Sequence, residues 1–243
     1  MELEYLFYVL LFLVAFLYAS IGHGGASGYL ALMAIFGVAT DVMKPTALLL
    51  NLFVSMVSFI QFYRGGYFKI KLFLPFALAS IPFAFLGGLI TIDASIYKKI
   101  LGLLLLIPIA RFLFFSRIEF TATKRYNIWF AIIIGAAIGF LSGLIGIGGG
   151  IILSPVLLLL RWANMKEAAA VSAIFIFVNS LSGLTGQLIK GVQFTSHMYL
   201  YVIVAFAGGL LGAYFGSIKF RFEVLKYILS AVLLMAVCKL LFV

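Results

Sequence analysis

Uninterrupted apolar runs, each close to the roughly 20 residues that span a hydrocarbon core about 30 Å thick, recur from one end of this chain to the other. That pattern leaves few architectures. Backbone inside a bilayer has no water to bond, so each run must be a helix or part of a closed barrel. Barrel strands alternate with period two over about 10 residues, and no such alternation is present. With 65% hydrophobic and 10% charged residues over 243 positions, no water-soluble core can hide the apolar surface. The expectation is an all-α polytopic membrane protein.

Polar punctuation divides the chain into five apolar segments per half. They run roughly Tyr5–Ser20, Ser27–Val38, Thr46–Tyr63, Leu72–Ile90 and Lys99–Phe115, then Asn127–Ile145, Ile151–Leu160, Ala168–Ile189, Met198–Gly216 and Phe222–Phe242. The opening "MELEYLFYVLLFLVAF" has acids where a signal peptide has bases, which predicts a retained first helix. The net charge of +10 sits between apolar segments, so it reads as membrane topology rather than nucleic-acid binding. The lone Cys238 implies neither a disulfide framework nor a metal site. No cofactor motif is evident.

The halves resemble one another. "IGHGG" (Ile21–Gly25) matches "IGIGG" (Ile145–Gly149), "MKP" (Met43–Pro45) matches "MKE" (Met165–Glu167), and "AFLGGL" (Ala84–Leu89) matches "AFAGGL" (Ala205–Leu210), in the same order. This predicts a single membrane domain of two repeats, about 1–115 and 127–243. A basic, polar linker at about 116–126 joins them.

Whether the repeats are parallel or inverted depends on the two glycine knots. If each knot reverses the chain and the N-terminus lies outside, 12 of the 17 Lys and Arg residues become cytoplasmic. If each knot is a kink in one helix and the N-terminus lies inside, 8 of the 17 fall outside. The positive-inside rule favours reversal. The expected arrangement is eight to ten membrane segments in two inverted repeats, with both termini outside the plasma membrane.

The second arms of these hairpins are short. Ser27–Val38 covers about 12 residues, roughly 18 Å of helix, and Ile151–Leu160 is shorter. Interrupted, short segments at matching repeat positions point to a transporter's binding site. The start of each second arm presents free N–H groups and a partial positive charge, and glycine lets a ligand approach that backbone closely. Candidate anion ligands are therefore Gly22, His23, Gly24, Gly25 and Ser27 at one tip, with Gly146, Gly148, Gly149 and Gly150 at the other. Ser20, Ser142 and Ser154 lie near the tips. The competing reading is close helix packing, for which membrane glycines are commonly used. The matched positions of the knots favour the ligand reading.

The third segment of each half adds Asn51 and Ser55, then Asn179 and Ser180. Asn51, Ser55 and Ser58 share one helical face, and an amide is costly in hydrocarbon unless paired. Interhelical bonding and a substrate path weigh equally for the serines, whereas Asn51 and Asn179 favour the path. His23 stands opposite Ile147, so its role belongs to one tip alone. It is either a proton-coupling group, with H+ as coupling ion, or a pin for the turn. Asp41, Asp93, Glu119, Glu167 and Glu223 all fall in or beside loops, which favours an anion or neutral solute over a cation. Lys44 and Lys166 occupy equivalent loop positions, where they could attract anions to the two mouths, and ordinary solvated charge is the favoured reading.

The stretches "GLIGIGGGIILSPVLLLL" and "NMKEAAAVSAIFIFVNSLSGLTGQLIKG", with the weaker copy "SIGHGGASGYLALMAIFGVATDVMKPTALLLNLF", resemble the TauE/SafE family of sulfite and organosulfur anion exporters over nearly the whole chain. The resemblance implies a multi-pass plasma-membrane transporter of sulfite or a similar small anion. Alternating access is the implied mechanism, with the anion between the tips. The alternatives are an anion channel or facilitator and a membrane assembly protein without transport. An intramembrane enzyme is disfavoured, because "GFLSG" has the wrong spacing for a rhomboid nucleophile and no His-Glu-x-x-His is present.

Overall fold

The computed structural model describes residues 2–20, 23–114, 124–216 and 222–242. Among them the regular structure is ten helices: α1 (Glu2–Ser20), α2 (Ala26–Ile35), α3 (Thr40–Arg64), α4 (Ile70–Leu89), α5 (Ala94–Phe114), α6 (Ile128–Ile145), α7 (Gly150–Leu159), α8 (Met165–Ile189), α9 (Ser196–Gly216) and α10 (Phe222–Phe242). Five of these, α3, α4, α6, α8 and most of α9, are long and apolar enough to cross a membrane. Large apolar side chains such as Leu78, Ile133 and Ile203 stand outward, about two-thirds exposed. In water that surface would be prohibitive, and in lipid it is the required exterior. The chain is an all-α polytopic membrane protein.

All ten expected segments are present, with boundaries that shift by up to six residues: α5 begins at Ala94 rather than Lys99, α2 ends at Ile35 rather than Val38, and both third helices begin early. α3 begins at Thr40 rather than Thr46, and α8 at Met165 rather than Ala168. Their first turns are polar, so hydropathy alone does not register them. Asp41 lies in the first turn of α3, where a negative charge suits the helix start. Asn164 caps α8 by accepting from the Glu167 N–H at 3.0 Å, and Glu167 accepts from the Asn164 N–H at 3.0 Å. This is a capping box. Glu167 also pairs with Lys69 at 2.6 Å, tying α8 to the α3–α4 connection.

Both glycine knots reverse the chain. Phe36, just after α2, packs on Phe7 near the start of α1 with ring centroids 5.2 Å apart. In the second half Lys124, just before α6, donates its N–H to the Arg161 carbonyl beyond α7 at 2.7 Å. The rings of Tyr126 and Trp162 lie 6.3 Å apart at the same place. Each short helix therefore folds back along its predecessor.

Glycines set the closest helix contacts. Gly135, Gly139 and Gly143 of α6 lie against Phe76, Ser80 and Ala84 of α4, and a methyl on any of them would overlap the facing backbone. Gly208 and Gly212 of α9 meet Phe12 and Phe16 of α1 in the same manner. Small residues four apart let backbones approach this closely, which is how membrane helices associate by van der Waals packing. The contacts advance in the same direction on both partners, so α4 runs parallel to α6, and α1 to α9. At the centre α3 and α8 cross, joined by Asn51 Nδ2 donating to Ser180 Oγ at 3.2 Å.

Exchanging the halves maps the main contacts onto one another. The pair α4–α6 becomes α9–α1, α4–α8 becomes α9–α3, and α3–α8 and α5–α10 map onto themselves. The linker residues 115–123 lie outside the described residues.

Candidate functional site

The two tips meet at mid-length of the α3/α8 pair. A methyl built on Gly24 would stand 2.9 Å from Asn51 Oδ1 and 2.9 Å from Ile176 Cγ2. One on Gly148 would meet Asn51 Nδ2, Ile176 Cγ2 at 2.9 Å and Ser180 Oγ at 3.1 Å. The glycines of the two matched motifs thus press on the same two side chains, one from each central helix. Asn51 and Ile176 lie near the middle of 25-residue helices. Any Cβ on either glycine would displace the amide or the isoleucine.

Each tip leads into a bare helix start. Gly25, φ 91°, precedes α2, and Gly149, φ 77°, precedes α7. These left-handed conformations favour glycine, and the two residues are equivalent in the repeat. Neither start has a side-chain cap or an acid in its first turn, in contrast to α8 with its capping box. Both are buried. A helix start leaves N–H groups without intrahelical partners and carries partial positive charge, so the enclosed region between the two tips carries the partial positive ends of two helices.

The surrounding side chains add unmet hydrogen-bonding capacity. Among the described residues, Asn51 Oδ1, Ser55 Oγ, Ser142 Oγ, Ser172 Oγ and Asn179 Oδ1 are buried without a hydrogen-bond partner. Each such atom costs about 1–3 kcal/mol, and native interiors contain few. Ser55 faces Gly24, Ser142 faces Gly149, and the Ser172 backbone faces Gly150. Unpaired polar atoms of Asn51, Ser55 and Ser142 thus stand beside the two bare helix starts.

The other expected residues take varied positions. His23 is buried at 1% exposure, and its Nε2 lies 3.1 Å from Ser154 Oγ in α7, so it links the first tip to the second hairpin. Ser27 Oγ pairs with the Tyr18 hydroxyl at 2.8 Å. Asn179 Nδ2 donates to the Phe175 carbonyl at 2.8 Å. Gly146, φ 92°, ends α6 and packs against the backbone of Lys44, away from Asn51. Gly22 lies outside the described residues. Among the described residues no cluster of three His, Cys, Asp or Glu could hold a metal.

Ile176, Tyr29 and Tyr18 were not legible as site residues. Ile176 is one turn before Ser180, so its spacing was available, but an isoleucine in an apolar run carries no signal. Tyr29 lies four residues after Gly25, and a helical side chain leans toward the N-terminus. Its buried, unpartnered hydroxyl accordingly lies over the turn at Gly25.

A cavity opens at each end of the α3/α8 pair. One, of about 140 Å³, is lined by Lys44, Ile92, Tyr97, Leu144, Gln187 and Lys190 among others. The other, of about 360 Å³, is lined by Ala19, Ser20, Ser58, Gln61, Tyr67 and Lys166 among others. Tyr97 donates to the Ile145 carbonyl at 2.8 Å, placing the first cavity beside the second tip. Ala19 and Ser20 close α1 just before the first tip. The expectation of a solvated Lys44 is corrected: it is 7% exposed and donates to main-chain carbonyls of α4 and the residue beyond it. Lys166 is exposed, as expected.

A family model described as sulfite exporter TauE/SafE matches residues 7–240. The probable membrane transporter protein y4hK of Sinorhizobium fredii is 36% identical over 234 residues, 95% of each chain. A probable membrane transporter protein of Methanocaldococcus jannaschii is 28% identical over 221 residues, 85% of this chain and 82% of that one. Sulfite exporter TauE/SafE family protein 6 of Arabidopsis thaliana is 35% identical over 79 residues, 32% of this chain and 18% of the plant protein. No solved structure matches.

Proposed function

Because the chain belongs to the sulfite exporter TauE/SafE family, we propose that this membrane transporter carries a small anion by alternating access, with sulfite or an organosulfur anion first among the candidates. The observation that carries the reading is the meeting of two uncapped, buried helix starts over Asn51 and Ile176. A compact oxyanion accepts hydrogen bonds from several directions at once, and two helix starts supply them without a buried cation. The unpaired Asn51, Ser55 and Ser172 groups then gain a partner, and the cost of leaving them bare is recovered on binding. Asn179 and the glycines complete the enclosure.

The repeats are read as inverted, with both termini outside the plasma membrane. The reversal at each knot, the exchange of contacts between halves and the 12 to 5 split of basic residues support this. No nucleotide-binding domain is evident in the sequence, so the gradient of the anion, or of a co-transported ion, drives movement.

The test is counterflow in proteoliposomes with sulfite, thiosulfate, sulfoacetate and sulfate. At least one labelled anion should enter vesicles faster when they are preloaded with the same unlabelled anion. Flux without that acceleration would make the protein a channel or facilitator. Absence of flux for every anion would overturn the reading and leave a membrane assembly role.

A further inference from the structure

Lys44 and Lys166 hold matching places in "MKP" and "MKE", one near the start of each central helix. The structure treats them differently. Lys44 Nζ lies 3.3, 3.5 and 3.3 Å from the carbonyls of Gly87, Gly88 and Ile90, at the end of α4. The ends of helices expose carbonyls and partial negative charge, so a buried ammonium is well placed there. Lys166 instead donates to the Tyr67 hydroxyl at 3.0 Å and lies 4.8 Å from the centre of that ring. Among the described residues, this hydrogen bond does not involve α9, the counterpart of α4.

The polar faces of the central helices show the same asymmetry. On α8, Ser182 donates to the Ile81 carbonyl at 2.5 Å and Gln187 to the Gly88 carbonyl at 2.8 Å, so that face is zipped to α4. On α3, Ser55 and Ser58 have no partner, and the exposed Gln61 continues their line into the larger cavity. One end of the central pair is bridged to α4 by these side chains and carries the smaller cavity, and the other, without such bridges among the described residues, carries the larger.

We propose that Lys44 and Lys166 are reciprocal gate latches. Lys44 on the carbonyls ending α4 closes one end. In the opposite state Lys44 lets go, and Lys166 reaches across the larger cavity, which Ala213 also lines, to carbonyls in the last turn of α9. Lysine suits the task, because its ammonium makes charge-assisted bonds from a flexible stem that can leave without breaking a fixed bidentate geometry. The latch deepens the alternating-access reading and rests on it. Two gates, each shut only when the other is open, convert a pore into a carrier.

The test uses two reporter cysteines in a Cys238→Ser background, with the protein in nanodiscs so that both ends meet solvent. Ser20→Cys reports the open cavity, and Leu144→Cys, at the equivalent position, reports the closed one. With both lysines present, a small water-soluble methanethiosulfonate should modify Ser20→Cys faster. Lys44→Gln should speed Leu144→Cys and slow Ser20→Cys, each on the order of tenfold, because a two-state equilibrium moves both ends together. Lys166→Gln should slow Leu144→Cys further. Should Leu144→Cys not fold, Ile92→Cys reports the same cavity. Acceleration at the Lys44 end with no slowing at Ser20→Cys would show local loosening and overturn the latch, as would no change at either position. Labelling needs no substrate, so reciprocal shifts in a protein without anion flux would sink the transport reading while leaving the latch.

Discussion

At the scale of single residues, the bond between His23 and Ser154 joins the first tip to the second hairpin. Its partners are 131 positions apart and belong to different halves. Nothing near His23 in sequence announces Ser154, whereas the pairing of the glycine motifs was legible because repetition is a local comparison. The bond favours a pin over a proton carrier. We expect His23→Ala and Ser154→Ala each to lower anion counterflow roughly fivefold to tenfold, with the double variant little worse than either, as for residues acting as a pair. The pH profile of counterflow in His23→Ala should keep its wild-type shape. A flattened profile would assign the imidazole to proton coupling instead. Asn51 illustrates how much one residue can carry, since its two amide atoms face different tips.

Among the elements, the α4/α6 pair is the most demanding. Gly135, Gly139 and Gly143 leave no room for a side chain because the α4 backbone occupies it. Gly139→Leu must therefore either push the helices apart or force strained rotamers, and overpacking typically costs about 1–3 kcal/mol. Here rigid backbone is the obstacle, so we expect the upper end of that range. The measurement is the unfolding midpoint in detergent, which should fall by several degrees, roughly as such a loss predicts. Ile133→Leu on the exposed face of the same helix should leave it unchanged. The existence of these helices was legible because apolar length is a strong signal. Their polar first turns were not, since the capping box at Asn164 and the acid at Asp41 read as loop to any measure of hydropathy. The burial of Lys44 was beyond reach for a related reason: its partners are main-chain carbonyls, which no side-chain pattern encodes.

At the scale of the whole molecule, two chemically unequal halves build a nearly exchangeable framework. The contacts swap when the halves are swapped, while His23 and Ile147 differ and the two cavities differ in size. A carrier needs this combination, because near-equal halves make two end states comparable in free energy and small differences decide which is favoured. Orientation in the membrane is the property to measure first. Single cysteines placed in the 64–71 and 217–226 segments should be labelled from one side only, the cytoplasmic one. Labelling from opposite faces would refute the inverted arrangement.

The brevity of α2 and α7 has an electrical meaning. Each is 10 residues, about 15 Å of helix, or half the hydrocarbon thickness. If the proposed carrier admits water to both cavities, the septum between them is thinner than the bilayer, and voltage falls mainly where water is absent. An anion carried as proposed would then traverse most of the membrane potential in a short movement, worth about 2.3 kcal/mol per charge at 100 mV. In a cell that is negative inside, that field pushes anions outward, so such a carrier would expel its cargo downhill in voltage without any fuel of its own.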